Sequence, residues 1–120
     1  MAAILIVEDE ADLRELYRLA LESAGHVILG CTENPEDPLR AGRPPQAPDL
    51  VILDERLGQR SGTNYLARFR AAFPRARMVL VTADPEAVQS ALRQGFDVAA
   101  RKPVTLRRLV EEVGVLLGKN

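Results

Sequence analysis

At 120 residues, 47% apolar and 28% charged, the chain is long enough for one domain with its own core and too apolar to be disordered. A net charge of −1 gives no electrostatic reason to expect direct nucleic-acid or membrane binding, and the single cysteine, Cys31, excludes an internal disulfide. No apolar stretch approaches the roughly 20 residues that span a bilayer, and the N-terminal MAAILIVEDE lacks the basic region of a signal peptide, so a cytoplasmic protein is expected.

In chain order the pattern reads strand then helix, about five times. Residues 3–7 are an apolar run too short for a helix, as a buried parallel strand should be. Residues 10–24 place Leu13, Leu16, Tyr17, Ala20, Leu21 and Ala24 at helical spacing, and Gly25 stops them. Val27–Leu29 reads as a second strand. The stretch Asn34–Pro48 carries Pro35, Pro38, Pro44, Pro45 and Pro48, so a second helix there should be short, distorted or absent. Leu50–Leu53 is a third strand, and residues 63–73 form a third helix ended by Pro74. Met78–Val81 is a fourth strand, and Pro85 starts a helix that Gly95 closes. Val98–Ala100 is a weak fifth strand, and Thr105 can cap a last helix with Leu106, Leu109, Val110, Val113, Leu116 and Leu117 inward. Alternation of this kind means a parallel sheet covered on both faces.

The strands end on polar residues. Glu8 and Asp9 follow the first, Asp54 the third, Thr82 the fourth, and Lys102 with Pro103 comes close behind the fifth. Ligands of open α/β sheets sit beyond these carboxyl ends, where strand order reverses. With the order 2-1-3-4-5, Glu8, Asp9 and Asp54 converge, and three carboxylates this close repel unless a hard cation such as Mg²⁺ joins them. Lys102 is one of only two lysines among 16 basic residues, and a compact point charge suits an anion in that pocket. Thr82 offers a hydroxyl donor. A carboxylate is itself a nucleophile towards phosphorus, and Asp54, on the central strand, is the candidate. Taken singly, Asp9 reads as a helix cap and Asp54 as a turn residue, but four complementary strand ends together do not.

These pieces resemble the receiver domain of two-component response regulators over essentially the whole chain, 1–120. They are Val7-Glu8-Asp9, the run from Pro48 to Asp54, Leu57, Gly62, Val81-Thr82-Ala83, Gly95 and Lys102-Pro103. The resemblance implies an α/β, flavodoxin-like (βα)₅ fold with a five-stranded parallel sheet of order 2-1-3-4-5. It implies that Asp54 accepts a phosphoryl group from a sensor histidine kinase or histidine phosphotransfer protein, with Thr82 and Lys102 on the phosphoryl oxygens. It also implies Mg²⁺ held by Asp9, Asp54 and the Arg56 backbone carbonyl, with Glu8 acting mainly through water, and a cis Lys102-Pro103 bond. Such a domain is a self-phosphorylating, self-dephosphorylating switch and not a turnover enzyme. With nothing after about residue 118 for an output domain, its output is a downstream protein partner, or the chain is a fragment.

The chain departs from that pattern at three places, Gly58, Ala99 and Phe96, the last unusually large for its place. Gly58 stands where the family usually has Pro, which should loosen the loop. Ala99 stands where the family usually has Tyr or Phe, which puts the usual readout through the last two helices in doubt. Arg56 and Asp84 flank the pocket and are expected to pair across its mouth. Cys31 is expected to be buried, Phe96 to pack in the core, and His26 to be a partly exposed packing residue. Arg93, Arg101, Arg107, Glu111 and Glu112 suit either a homodimer contact or a solvated face. The alternative to the switch is a phosphorylation-independent protein-binding module on the same fold. A flavin carrier fits poorly, because Glu8, Asp9 and Glu10 would repel a flavin phosphate.

Overall fold

A computed structural model describes residues 2–40 and 46–118. Pro44, Pro45 and Lys119 lie outside the described residues. The elements in chain order are β1 (Ala3–Val7), α1 (Ala11–Ser23), β2 (Val27–Thr32), α2 (Glu36–Arg40), β3 (Leu50–Asp54), β4 (Arg56–Leu57) and β5 (Arg60–Ser61). A 3₁₀ turn (Gly62–Tyr65) then leads into α3 (Leu66–Ala72), β6 (Arg77–Thr82), α4 (Pro85–Gln94), β7 (Val98–Arg101) and α5 (Leu106–Leu117).

Five strands form one parallel sheet in the order β2-β1-β3-β6-β7. Counting only these strands, the order is 2-1-3-4-5, the flavodoxin-like arrangement expected. Every residue of β1 and β3 is buried, because helices cover both faces and the two-residue period sends alternate side chains to different cores. Leu5, Val7, Val51, Leu53, Met78 and Leu80 pack with Phe69 and Phe96 on one face. Ile4, Ile6, Leu50, Ile52, Val79 and Val81 pack with Tyr17, Leu21, Leu109 and Val113 on the other. Phe96 is thus a core residue, as expected. Leu16, placed on the inward stripe by its spacing, is instead 44% exposed, and the buried face of α1 narrows to Tyr17 and Leu21.

Capping explains the two longest C-terminal elements. The Asp84 carboxylate accepts from Glu86 N–H at 2.9 Å, and Pro85 opens α4 where a missing N–H costs nothing. The Thr105 hydroxyl accepts from Arg108 N–H at 3.1 Å and starts α5. Helix α2 is five residues long with no buried residue, the short element that its prolines led us to expect. Lys102-Pro103 is cis.

Three expectations are corrected. The loop after β3 is not loosened by Gly58: it is an antiparallel hairpin in which Arg56 pairs with Ser61 and Leu57 with Arg60. Gly58 has φ +65, the first-position conformation of a two-residue hairpin turn, which Pro with its fixed negative φ is unable to adopt. Cys31 is exposed, because β2 is the sheet edge, although its thiol lies towards α1, 3.7 Å from the Arg14 carbonyl oxygen. Asp84 does not pair with Arg56, since its carboxylate serves as the α4 cap.

Candidate functional site

The register of the sheet brings the strand ends level. Val7 lies beside Leu53, Asp54 beside Val81, and Thr82 beside Arg101. Glu8, Asp54, Thr82 and Lys102 therefore meet at one edge, above the neighbouring strands β1 and β3 where the chain crosses from one side of the sheet to the other. Carboxylate oxygens of Glu8, Asp9 and Asp54 all lie within 4.8 Å of one another. A cavity of about 620 Å³ opens over them, lined by Asp9, Asp54, Arg56, Thr82 and Lys102, with Arg60 and Asp84 at its rim.

Lys102 holds the centre. Its Nζ donates to Glu8 Oε1 at 3.2 Å and to Asp54 Oδ2 at 3.1 Å. The Glu8 and Asp54 side chains are only 1% and 4% exposed, so this ammonium is their principal compensation. Burial, together with a hydrogen bond to Asp54, pushes the Glu8 carboxyl up to about 8. Burial works to lower Lys102, but the charge and hydrogen bond of Asp54, reinforced by Glu8, outweigh it and hold the ammonium above its ordinary range. Neighbouring Tyr17 feels the same enclosure, and burial drives its phenol up to about 12.

The remaining groups are fixed by their own backbones. Asp54 Oδ1 accepts from Arg56 N–H at 3.3 Å, a bond within the turn after β3. Asp9 Oδ2 accepts from Gly58 N–H at 3.3 Å, which ties the hairpin to the first loop through a donor that proline lacks. Asp9 does not cap α1; the residue at that position is Glu10, and its side chain makes no capping bond. The Thr82 hydroxyl, on a residue 3% exposed, accepts from Asp84 N–H at 3.1 Å.

Glu8, Asp9, Asp54, Arg56, Thr82 and Lys102, the site residues singled out from the sequence, are thus assembled in one place. The spacing argument missed the hairpin and what it carries. Arg60 Nη1 donates to Asn34 Oδ1 at 2.7 Å, and Glu55 accepts from Thr63 N–H at 2.9 Å, fixing the turn into α3. The signal was present in Arg56-Leu57-Gly58-Gln59-Arg60-Ser61, where a Gly-x pair separates two short extended pairs.

As a metal site the donor set fits a hard divalent cation. Three carboxylates in mutual reach offer oxygen ligands, and two of them, Glu8 and Asp54, are buried with a single ammonium between them.

A doubly wound parallel sheet with acidic, hydroxyl and ammonium groups at its carboxyl edge defines a domain that can hold an anion beside a cation. Residues 4–114 match the response regulator receiver domain family, and the chain belongs to it. It is 32% identical over 123 residues to the two-component response regulator ORR41 of Oryza sativa, covering 99% of this chain and 94% of that protein. It is 36% identical over 80 residues to the alginate biosynthesis transcriptional regulatory protein AlgB of Pseudomonas aeruginosa, a match to 67% of this chain but only 17% of that much longer protein. Among solved structures, NtrX from Brucella abortus superposes with a TM-score of 0.85 at 29% identity, over 97% of this chain and 27% of that one. Membership makes this a receiver domain of two-component signalling, a family in which phosphorylation of an Asp and Mg²⁺ are general features. No helix among the described residues is long and apolar enough to cross a membrane.

Proposed function

We propose that Asp54 is the phosphoacceptor of a phosphorylation-dependent switch, and that a sensor histidine kinase or histidine phosphotransfer protein supplies the group. The observation that carries this reading is Lys102 Nζ bridging Asp54 Oδ2 and Glu8 Oε1 beneath an open cavity. In the transfer, an Asp54 carboxylate oxygen forms a bond to phosphorus as the phosphorus–nitrogen bond of a phosphohistidine breaks. The electron pair leaves with the imidazole nitrogen, which then takes a proton. Lys102 and the Thr82 hydroxyl sit beside Asp54 to hold the transferred oxygens, and positioning with charge neutralisation supplies most of the catalysis. Asp9, Asp54 and the Arg56 carbonyl would hold Mg²⁺, with Glu8 behind them; a bound cation neutralises charge developing on the phosphoryl oxygens. Water later attacks phosphorus and returns Asp54 to a carboxylate, so the protein is a switch and not a turnover enzyme.

The site works in the cytoplasm in this reading, where the donor kinase is phosphorylated. Its output is a protein partner or an output domain of a longer chain, and the receiver itself makes no nucleic-acid contact in this reading; a homodimer through α4 and α5 is compatible with the charged face there. AlgB is named a transcriptional regulator, and the match covers only a small part of it. Incubating the protein with Mg²⁺ and acetyl phosphate and weighing it intact tests the proposal. One added phosphoryl group is expected, absent in Asp54→Asn. No gain from small donors or from a phosphorylated histidine phosphotransfer protein sinks it. The second reading, a phosphorylation-independent binding module, draws on Ala99, which leaves no aromatic ring beside Thr82 to turn inward.

A further inference from the structure

Arg60 stands where the phosphoacceptor cavity meets α2. It lines the same cavity as Asp54, Thr82 and Lys102. Its guanidinium is held by Asn34, with Nη1 donating to Oδ1 at 2.7 Å. That same oxygen accepts from Glu36 N–H at 2.9 Å, the first residue of α2. One carbonyl oxygen therefore secures both the cavity rim and the start of a helix. The helix is held at its other side by the Glu36 carboxylate, which pairs with Arg68 of α3 at 2.6 and 2.7 Å and accepts from Tyr65 Oη at 3.0 Å.

Charge decides which partner Arg60 prefers. Lys102 is already shared between two buried carboxylates. Converting the Asp54 carboxylate into a phosphoryl dianion adds about one negative charge to the cavity. A guanidinium binds a phosphoryl oxygen more strongly than a neutral amide oxygen, because the acceptor is ionised and its geometry allows two bonds. Such a shift needs only the Arg60 side chain to rotate, since the hairpin that carries it is held by buried Leu57 and by the bond from Gly58 N–H to Asp9. Arg56, the other cation at the rim, has no side-chain partner on another element among the described residues. Its movement would report nothing elsewhere.

We propose that Arg60 is a second cationic contact for the phosphoryl group, and that in turning to it Arg60 releases the Asn34 oxygen and reports phosphorylation to α2 and its surface against α3. The inference rests on Asp54 being the phosphoacceptor. It supplies a readout that requires no aromatic side chain at position 99.

Beryllofluoride, a tetrahedral phosphoryl mimic, tests this with Mg²⁺ and ¹⁵N-labelled protein. In wild type, loading is expected to move the amide resonances of both Thr82 and Glu36. In Arg60→Ala, binding should weaken about tenfold, the low end of what a charge-assisted hydrogen bond contributes. Thr82 should still respond at saturation while Glu36 no longer does. Arg60→Gln keeps a donor for Asn34 but loses the charge, and its Glu36 amide should likewise stay still. Unchanged affinity in both variants, or a Glu36 response that survives in both, overturns the proposal. A Thr82 amide that never moves in wild type overturns the phosphoacceptor reading, and this inference with it.

Discussion

Gly62 decides how closely the chain can pass over Asp54. Its N–H donates to the Glu55 carbonyl at 2.8 Å. A Cβ at this position would overlap the Asp54 carbonyl oxygen and lie 3.0 Å from the Asp54 carbonyl carbon. Both neighbours are backbone, so neither can rotate aside. Gly62→Ala is expected to cost about 1–3 kcal/mol, the usual range for overpacking, and to displace Asp54. Urea denaturation should show a lower midpoint, and phosphorylation by acetyl phosphate should slow; an unchanged midpoint refutes the crowding argument. The carboxylates make a second prediction at this scale. If they hold Mg²⁺, the cation binds the folded chain alone and stabilises it, by about 1.4 kcal/mol at ten times its Kd. Thermal melts with and without Mg²⁺ should show this rise in wild type and lose most of it in Asp9→Asn. Residue identities at the strand ends were legible because each follows an apolar run in a fixed direction. Partner choice was not. Asp84 has two available roles, cap or ion pair, and only the backbone geometry of α4 selects the cap.

The short α2 depends on its side-chain anchors, because it buries no residue of its own. The hydrogen bond from Arg68, with help from Tyr65, holds the Glu36 carboxyl near 2, below its ordinary 4.5. A lowered carboxylate pKa means the folded state favours the ionised form. The contribution is therefore complete above about pH 4.5 and is lost as pH falls towards 2. Glu36→Gln should melt below wild type at neutral pH, and the gap should narrow as both are acidified below pH 4.5. A gap of constant size would show that the loss comes from packing. On α4, Asp84→Ala removes the cap and should cost about 1 kcal/mol, measured by denaturant titration. Helices and main strands could be located from periodicity and stop signals, and α4 ends at Gln94 before Gly95 as read. The β4–β5 hairpin was hidden, because strands of two residues carry no periodicity. Gly58 was read as freedom when its left-handed φ and its bond to Asp9 make it a fixed turn.

Across the whole molecule the two edges of the sheet are unequal. On one side β7 buries Ala100, and its Val98 packs against the cluster that holds Leu109, Val113 and Leu116 of α5. On the other, β2 has no buried residue, its pairing with β1 shifts register between Ile4 and Leu5, and the neighbouring α2 has no buried residue either. Between them, β1 and β3 are buried throughout, and β6 at every residue after its first. Local opening follows buried apolar contact, so the molecule should open first along β2 and α2. The apolar runs announced the central strands, and the prolines announced a weak α2. The weakness of β2 was not legible, since Val27-Ile28-Leu29 is as apolar as the buried strands and only its place at the edge exposes it. Native-state hydrogen exchange against urea checks this directly. Amides of β1, β3 and β6 should exchange only with global unfolding and share its full urea dependence. Amides of β2 and α2 should exchange through a smaller opening with a shallower slope, because less surface is exposed. A single common slope would mean that the sheet opens as one unit. A shallow slope confined to β2 and α2 would place the easiest motion of the fold beside Asn34, where one hydrogen bond from Arg60 joins that edge to the cavity over Asp54.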